Sequence, residues 1–177
     1  MFGFSGKARL TKDGVEAGKR NVRVKISKSS EEKQAKTGHV FLDKILNGLS
    51  VHSPFSMVIE SKGTKDKLLE NSGFAIGLGL KKLLEGSGKK SSSHIHSDGR
   101  AMCMFSFKLS GDMKGSTIQL IGRPKEFDPK DLFVFFDYLS QGMDSEISGI
   151  VNLAKRKGKE IEFVSEALGG SLKQMFG

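Results

Sequence analysis

The sequence carries a similar order of strand-like and helix-like patterns twice, which limits the folds open to it. In the first half, residues 20–27 alternate apolar with charged side chains, the pattern of a strand that buries one face. Residues 41–49 repeat apolar side chains at helical spacing, and Pro54 prevents that helix from running on. Residues 55–59 predict a further strand, and residues 74–84 predict a second helix with a broad apolar face.

The second half follows a similar plan. It predicts strands over residues 101–110, 116–121 and 146–153 and helices over residues 128–139 and 162–175. Because the order of elements recurs while residue identity is slight, we interpret the chain as an internal repeat. A sheet with helices on one face cannot bury both of its surfaces alone, so we expect the halves to pack against each other or against further subunits.

Local composition sets the expected boundaries of this repeat. Residues 1–19 are rich in Gly and Lys and predict a basic N-terminal arm or a weak strand. Residues 20–86 are the first αβ half, residues 87–100 a Gly/Ser/Lys-rich linker and loop, and residues 101–177 the second αβ half. We expect one structural domain built from these two repeats.

Charge and cysteine content narrow the classes of function. Lys and Arg number 29 against 20 Asp and Glu, a formal net charge of +9 that lies mainly in residues 1–36 and 87–130. A solvated lysine-rich surface is favoured over a nucleic-acid partner, because no aromatic side chains interleave the basic ones. The single Cys103 excludes an internal disulfide, and no apolar run is long enough for a membrane helix, so a soluble cytoplasmic protein is expected.

Four segments together resemble the imidazoleglycerol-phosphate dehydratase family of histidine biosynthesis. Residues 37–52 read TGHVFLDKILNGLSVH, similar to the T-G-I-G-F-L-D-H-M-L-x-x-L-x-x-H signature of that family. Weaker similarities follow in order: residues 75–79 to an A-I-x-L-G helix, residues 108–111 to a D-L-S-G turn, and residues 158–172 to a G-x-N-x-H-H-x-x-E-A segment. The resemblance covers about residues 20–176 and implies an α/β (α+β) fold, a duplicated two-layer sandwich in which each half is a four-stranded sheet with two helices on one face.

The same resemblance implies a metal-dependent lyase, but most of the metal-ligand residues of that family are absent from this sequence. The family binds two manganese ions through two H-H-x-x-E motifs and two further histidines, at sites built between subunits of large oligomers. A metal on the imidazole ring of the substrate supports loss of water. The eight ligand positions fall on Lys44, Leu68, Leu69, Ser72, Ser148, Glu162, Phe163 and Glu166. Only Glu166 keeps the residue type of the family, so we expect no metal and no manganese cofactor.

The histidines supply the remaining candidates for chemistry. No histidine follows His96, and His52 matches the family histidine after the first helix, where a backbone contact at the helix end is favoured over catalysis. His94 and His96 share one strand face, a geometry that suits a metal, but a solvated loop is favoured beside the Ser-rich linker. The candidates for catalysis are His52, Glu166 and Lys44.

Three functions are compatible with these observations. The first is a non-catalytic homologue that has lost the manganese-dependent dehydration, and loss of the ligands favours it. The second is an active dehydratase or lyase that uses other residues, with candidates Lys44, Glu70, Asp98, Glu162 and the four histidines. The third is an anion- or nucleic-acid-binding protein that uses its basic surface. We expect a homo-oligomer smaller than those of the family, and Lys44, Lys89 and Lys90 are the lysines that would attract a phosphorylated small molecule.

Overall fold

The computed structural model describes residues 6–28, 35–62, 67–110, 115–154, 156 and 158–177. Two units with the same order of elements, strand-strand-strand-helix-strand-helix, follow one another along the chain. The elements are β1 (Lys7–Thr11), β2 (Gly14–Lys19), β3 (Val22–Ser27), α1 (Val40–His52), β4 (Ser56–Ser61), α2 (Leu68–Leu84), β5 (Ser91–Asp98), β6 (Ala101–Leu109), β7 (Gly115–Ile121), α3 (Pro129–Met143), β8 (Ser145–Asn152) and α4 (Glu160–Phe176).

The periodic segments fold as their patterns predict. In β3 the buried Val22, Val24 and Ile26 alternate with the exposed Arg23 and Lys25, because successive side chains of a strand point to opposite faces. The predicted helices are all present, and each extends a few residues beyond its apolar core. These segments confirm the αβ fold class that the sequence predicts.

Two stretches whose composition gave no clear strand pattern contain strands. The basic arm contains β1 and β2, although its residues 1–5 lie outside the described part of the chain. The linker and loop of residues 87–100 contains β5, an edge strand that pairs with β6 along its whole length. The prediction of an irregular linker was wrong for β5, whereas β1 and β2 agree with the weak-strand alternative for residues 1–19. Pairing with an apolar neighbouring strand outweighs the weak strand preference of Gly, Ser and Lys.

The two sheets share a size but not a strand order. The first sheet is antiparallel throughout in the order β1-β2-β3-β4, whereas the second has the order β5-β6-β8-β7. In the second sheet β8 lies between β6 and β7 and runs parallel to β7. The order of elements along the chain therefore recurs, whereas the pairing of the third and fourth strands of each unit does not.

The helices form the middle of the molecule, between the two sheets. Helix α2 packs on β2 and β3, α4 packs on β5 and β6, and across the middle α2 contacts α3 while α1 contacts α4. One continuous apolar cluster runs through both units. The expected packing of the halves against each other is confirmed. Among the described helices, none is long and apolar enough to cross a membrane.

Glycines allow α2 and α3 to approach backbone to backbone. A Cβ atom on Gly77 would lie 2.3 Å from the carbonyl oxygen of Leu139, and one on Gly142 would lie 2.1 Å from that of Phe74. Both distances are far below van der Waals contact, so a side chain at either position would push the helices apart. The crossing that joins the two units therefore requires glycine at both positions.

Gly142→Ala tests this crossing. We expect it to lower the free energy of unfolding by about 2 kcal/mol or more, because overpacking against a backbone outweighs the helix preference of alanine, about 1 kcal/mol. Gly79→Ala is the matched control, since its Cβ would first meet Ile26 Cδ1, the far end of a flexible side chain. Urea unfolding followed by circular dichroism measures both, and equal stabilities for the two variants would contradict the close crossing.

Cys103 gives a second test of the core. It lies on β6 with no exposed surface, and burial raises the pKa of its thiol to about 12. At pH 8 the folded chain should therefore hold almost no thiolate, the form that reacts. We expect iodoacetamide to leave the folded chain unmodified for hours and to label it stoichiometrically in denaturant. Rapid labelling of the folded chain would place the thiol outside the core.

Candidate functional site

An open pocket of about 370 Å³ lies where α1 and the first turn of α4 meet. Its walls combine apolar surface with side chains of both charges. The lining residues are Lys44, Asn47, Gly48, Val51, His52, Glu126, Lys159 and Glu162. Three of the residues that the resemblance singles out, Lys44, His52 and Glu162, are therefore neighbours in this pocket.

A cluster of histidines and glutamates borders the pocket. His52 Nε2 lies 3.7 Å from Glu166 Oε1, and His96 Nε2 lies 2.5 Å from Glu166 Oε2. One potential ligand atom from each of His52, Glu162 and Glu166 lies within 4.8 Å of the others. The Glu166 carboxylate thus stands between two imidazoles, and all these side chains are at least partly exposed.

Helix packing brings His52 to this cluster. A Cβ atom on Gly169 of α4 would lie 2.8 Å from the backbone carbon of His52, and one on Gly48 of α1 would lie 2.3 Å from the Ser165 Cβ. The backbone of Gly169 therefore lies against the end of α1, and Gly48 leaves room for the Ser165 side chain. Glu166 lies about one turn before Gly169 on α4. His52, the last residue of α1, is therefore next to Glu166.

Strand alternation brings His96 to the same place. His94 and His96 lie on the face of β5 that packs against α4, where the His96 ring sits 4.8 Å from the Phe163 ring. His94 Nδ1 lies 3.4 Å from Gln174 Nε2, further along the helix. The prediction of a solvated loop here was wrong, while the prediction that both imidazoles share one strand face is confirmed.

Two glutamates fix the loop beside the pocket to the start of α4. Glu126 accepts hydrogen bonds from the backbone N–H groups of Lys159, Glu160 and Ile161. Glu160, which is 2% exposed, accepts in return from the N–H groups of Lys125 and Glu126. Because Lys159 has a left-handed backbone and supplies no cap of its own, Glu126 satisfies donors that helix formation leaves unpaired.

The α2 positions of the implied metal sites are part of the core. Leu68, Leu69 and Ser72 are 4%, 6% and 0% exposed. Leucine carries no donor atom for a metal, and one buried hydroxyl cannot replace a carboxylate. Leu68 and Leu69 therefore cannot act as ligands in the two-manganese centre that the resemblance implies.

The other implied positions divide between the pocket and the far side of the second sheet. Phe163 is buried beneath His96, and the Arg156 guanidinium carbon lies 4.1 Å from its ring centre. Ser148 lies on β8 between the buried Ile147 and Gly149, so it occupies the sheet face turned away from the helices. Only the positions on α1 and α4 come together.

The remaining candidates lie outside the cluster or already have partners. Asp98 forms an ion pair with Arg156 at 3.0 Å, and Lys89 donates to the carbonyl oxygen of Gln174 at 2.8 Å. His39 caps the start of α1 through its ring, which accepts from the backbone of Leu42. Glu70 lies in the first turn of α2 and does not line the pocket.

Basic side chains on the outer face of the first sheet stand beside acidic ones. Arg9 and Lys25 flank Glu16 across the strands, and Arg23 lies opposite Glu60. Arg9 Nη2 is 2.6 Å from Glu16 Oε2, and this hydrogen bond lowers the pKa of Glu16. The described part of this face is of mixed charge, and nucleic-acid binding stays a prediction.

Comparison with solved structures identifies the fold. Imidazoleglycerol-phosphate dehydratase from Staphylococcus aureus subsp. aureus N315 superposes with a TM-score of 0.70 at 19% identity, over 89% of this chain and 95% of that chain. The same enzyme from Pyrococcus furiosus, solved in complex with (S)-C348, gives a TM-score of 0.67 at 19% identity, over 94% of this chain and 91% of that chain. No family model and no curated protein matches the sequence.

The likeness confirms the fold that the sequence motifs predict. The two solved structures are similar to this chain over 89% and 94% of its length. At 19% identity this similarity shows the architecture alone, and any chemistry must be argued from the residues of the site.

Glu126→Ala tests the wall of the pocket. We expect a loss of about 1–2 kcal/mol in the free energy of unfolding, because three N–H groups at the start of α4 lose their acceptor. Glu126→Gln keeps one acceptor oxygen and should lose less. Thermal and urea unfolding measure both variants, and two variants as stable as the parent chain would show that the carboxylate does not hold the helix start.

Proposed function

We propose that this chain is a non-catalytic relative of imidazoleglycerol-phosphate dehydratase, with the fold but without the manganese-dependent dehydration. The observation that carries the proposal is the burial of Leu68, Leu69 and Ser72 at positions where the resemblance places metal ligands. A catalytic metal must hold the imidazole of the substrate and supply the electron sink for loss of water. Leucine has no donor atom and one buried serine hydroxyl cannot replace a carboxylate, so these side chains cannot hold that metal.

The residue at the implied ligand position on α1 supports the same conclusion. Lys44 stands at the position of a family histidine, is exposed, and lines the pocket. A lysine ammonium has only hydrogen-bond donors and no acceptor, so it cannot replace a histidine as a metal ligand. Without ligands, the desolvation of an ion against the buried leucines would cost on the order of tens of kcal/mol on an idealised continuum estimate.

The role that we propose is binding. The pocket pairs Lys44 and Lys159 with an apolar wall that includes Val51, a combination suited to a small molecule that carries a phosphate or another anion. We also propose a homo-oligomer held by apolar and polar contacts alone, smaller than the metal-linked assemblies that the resemblance implies. Its mass by light scattering should then be the same with and without EDTA.

A second candidate function is a lyase that uses the histidine–glutamate cluster directly. The observation in its favour is the contact of Glu166 with both His52 and His96, since imidazole–carboxylate pairs can transfer protons near neutral pH. In this alternative, Glu162 and Lys44 would face the substrate from the pocket wall.

A dehydratase assay separates the two candidates. Purified chain is incubated with imidazoleglycerol phosphate, with Mn²⁺ and with EDTA, beside the Staphylococcus aureus enzyme as positive control. The proposal predicts no turnover above background under either condition. Turnover with Mn²⁺ would overturn it. Turnover in EDTA that His96→Ala abolishes would establish the second candidate instead.

A further inference from the structure

We infer that His52, His96, Glu162 and Glu166 form a site for one divalent transition-metal ion of the Zn²⁺ class within a single chain. The site is independent of the dehydration reaction, and it differs from the ligand set that the resemblance implies. It shares Glu162 and Glu166 with the positions that the resemblance implies, adds His52 and His96, and uses none of the positions on α2, where Leu68 and Leu69 stand in this chain.

The spacing of the donor atoms suits a single ion. The potential ligand atoms of His52, Glu162 and Glu166 lie within 4.8 Å of one another, and His96 Nε2 is 2.5 Å from Glu166 Oε2. Ligands about 2.0–2.2 Å from a tetrahedral ion stand roughly 3.3–3.6 Å apart. Side-chain rotations would therefore bring His52, Glu162 and Glu166 towards this spacing, and His96 already lies beside the Glu166 carboxylate.

Charge and ligand type define the class of ion. Two carboxylates with two neutral imidazoles bring a charge of −2, which balances a divalent ion. Mixed nitrogen and oxygen donors bind Zn²⁺ more tightly than Mn²⁺ in the Irving–Williams order. Lys44 and Lys159 line the same pocket, but both side chains are exposed, so solvent screens their repulsion.

The scaffold presents these groups from three elements. His52 ends α1, His96 lies on β5, and Glu162 and Glu166 stand one turn apart on α4. Phe163 lies against the His96 ring and restricts its orientation. The adjoining pocket gives an ion a path to the cluster and leaves room for a further ligand. A bound ion would join the edge strand β5 to both helices.

Titration of the EDTA-treated chain with ZnCl₂ and with MnCl₂ in a calorimeter tests the inference. We expect one Zn²⁺ per chain, weaker binding of Mn²⁺, and a melting temperature about 5–10 °C higher at a 100-fold excess of Zn²⁺ over its Kd. Absence of Zn²⁺ binding, or Mn²⁺ binding more tightly than Zn²⁺, would overturn the assignment.

Variants show whether these residues are the ligands. His96→Ala and Glu166→Gln should each weaken Zn²⁺ binding at least 10-fold, while the matched control His94→Ala, two residues away on the same strand face, should change it less than 3-fold. Equal losses in His94→Ala and His96→Ala would overturn the site. His96→Gln and Glu162→Gln serve if an alanine variant does not fold, as judged by circular dichroism. Dehydratase turnover would overturn the proposed function without bearing on this metal site. Failure of the proposed function and failure of the metal-site inference are therefore distinguishable.

Discussion

The rest of the structure depends on the backbone contact between helices in the middle layer. Each sheet buries one face under its own pair of helices, and the two pairs then meet. Gly77 and Gly142 allow α2 and α3 to touch, and Gly48 and Gly169 do the same for α1 and α4. Because each crossing joins one unit to the other, the two four-stranded sheets share a single core.

The contact between α1 and α4 brings the residues of the candidate site together. The contact between Gly169 and the end of α1 sets His52 against α4, and the pairing of β5 with β6 places His96 on the other side of Glu166. The corresponding region of α2 holds buried leucines instead. The chain therefore combines the fold of the solved dehydratases with a cluster of potential ligands that α1, β5 and α4 contribute.

Local patterns predicted most of the fold, and long-range pairing accounts for the errors. Alternation in β3 and the apolar spacing in α1 identified both elements, and the motif of residues 37–52 led to the correct architecture. The Gly/Ser/Lys composition around β5 concealed a strand, because its partner β6 decides its conformation. For the same reason the sequence did not show that His96 reaches Glu166, which lies 70 residues later. The spacing of His94 and His96, two residues apart, was the sequence feature that indicated a strand with both imidazoles on one face.

The central proposal is that one metal ion binds to the cluster of α1, β5 and α4 within a single chain, and that none binds at the α2 positions. Anomalous diffraction from crystals grown with Mn²⁺ and Zn²⁺ tests it most directly. The account predicts one Zn²⁺ peak per chain between α1, β5 and α4, and no metal peak beside Leu68 and Leu69. Two metal peaks per chain, or an ion held against α2, would contradict it.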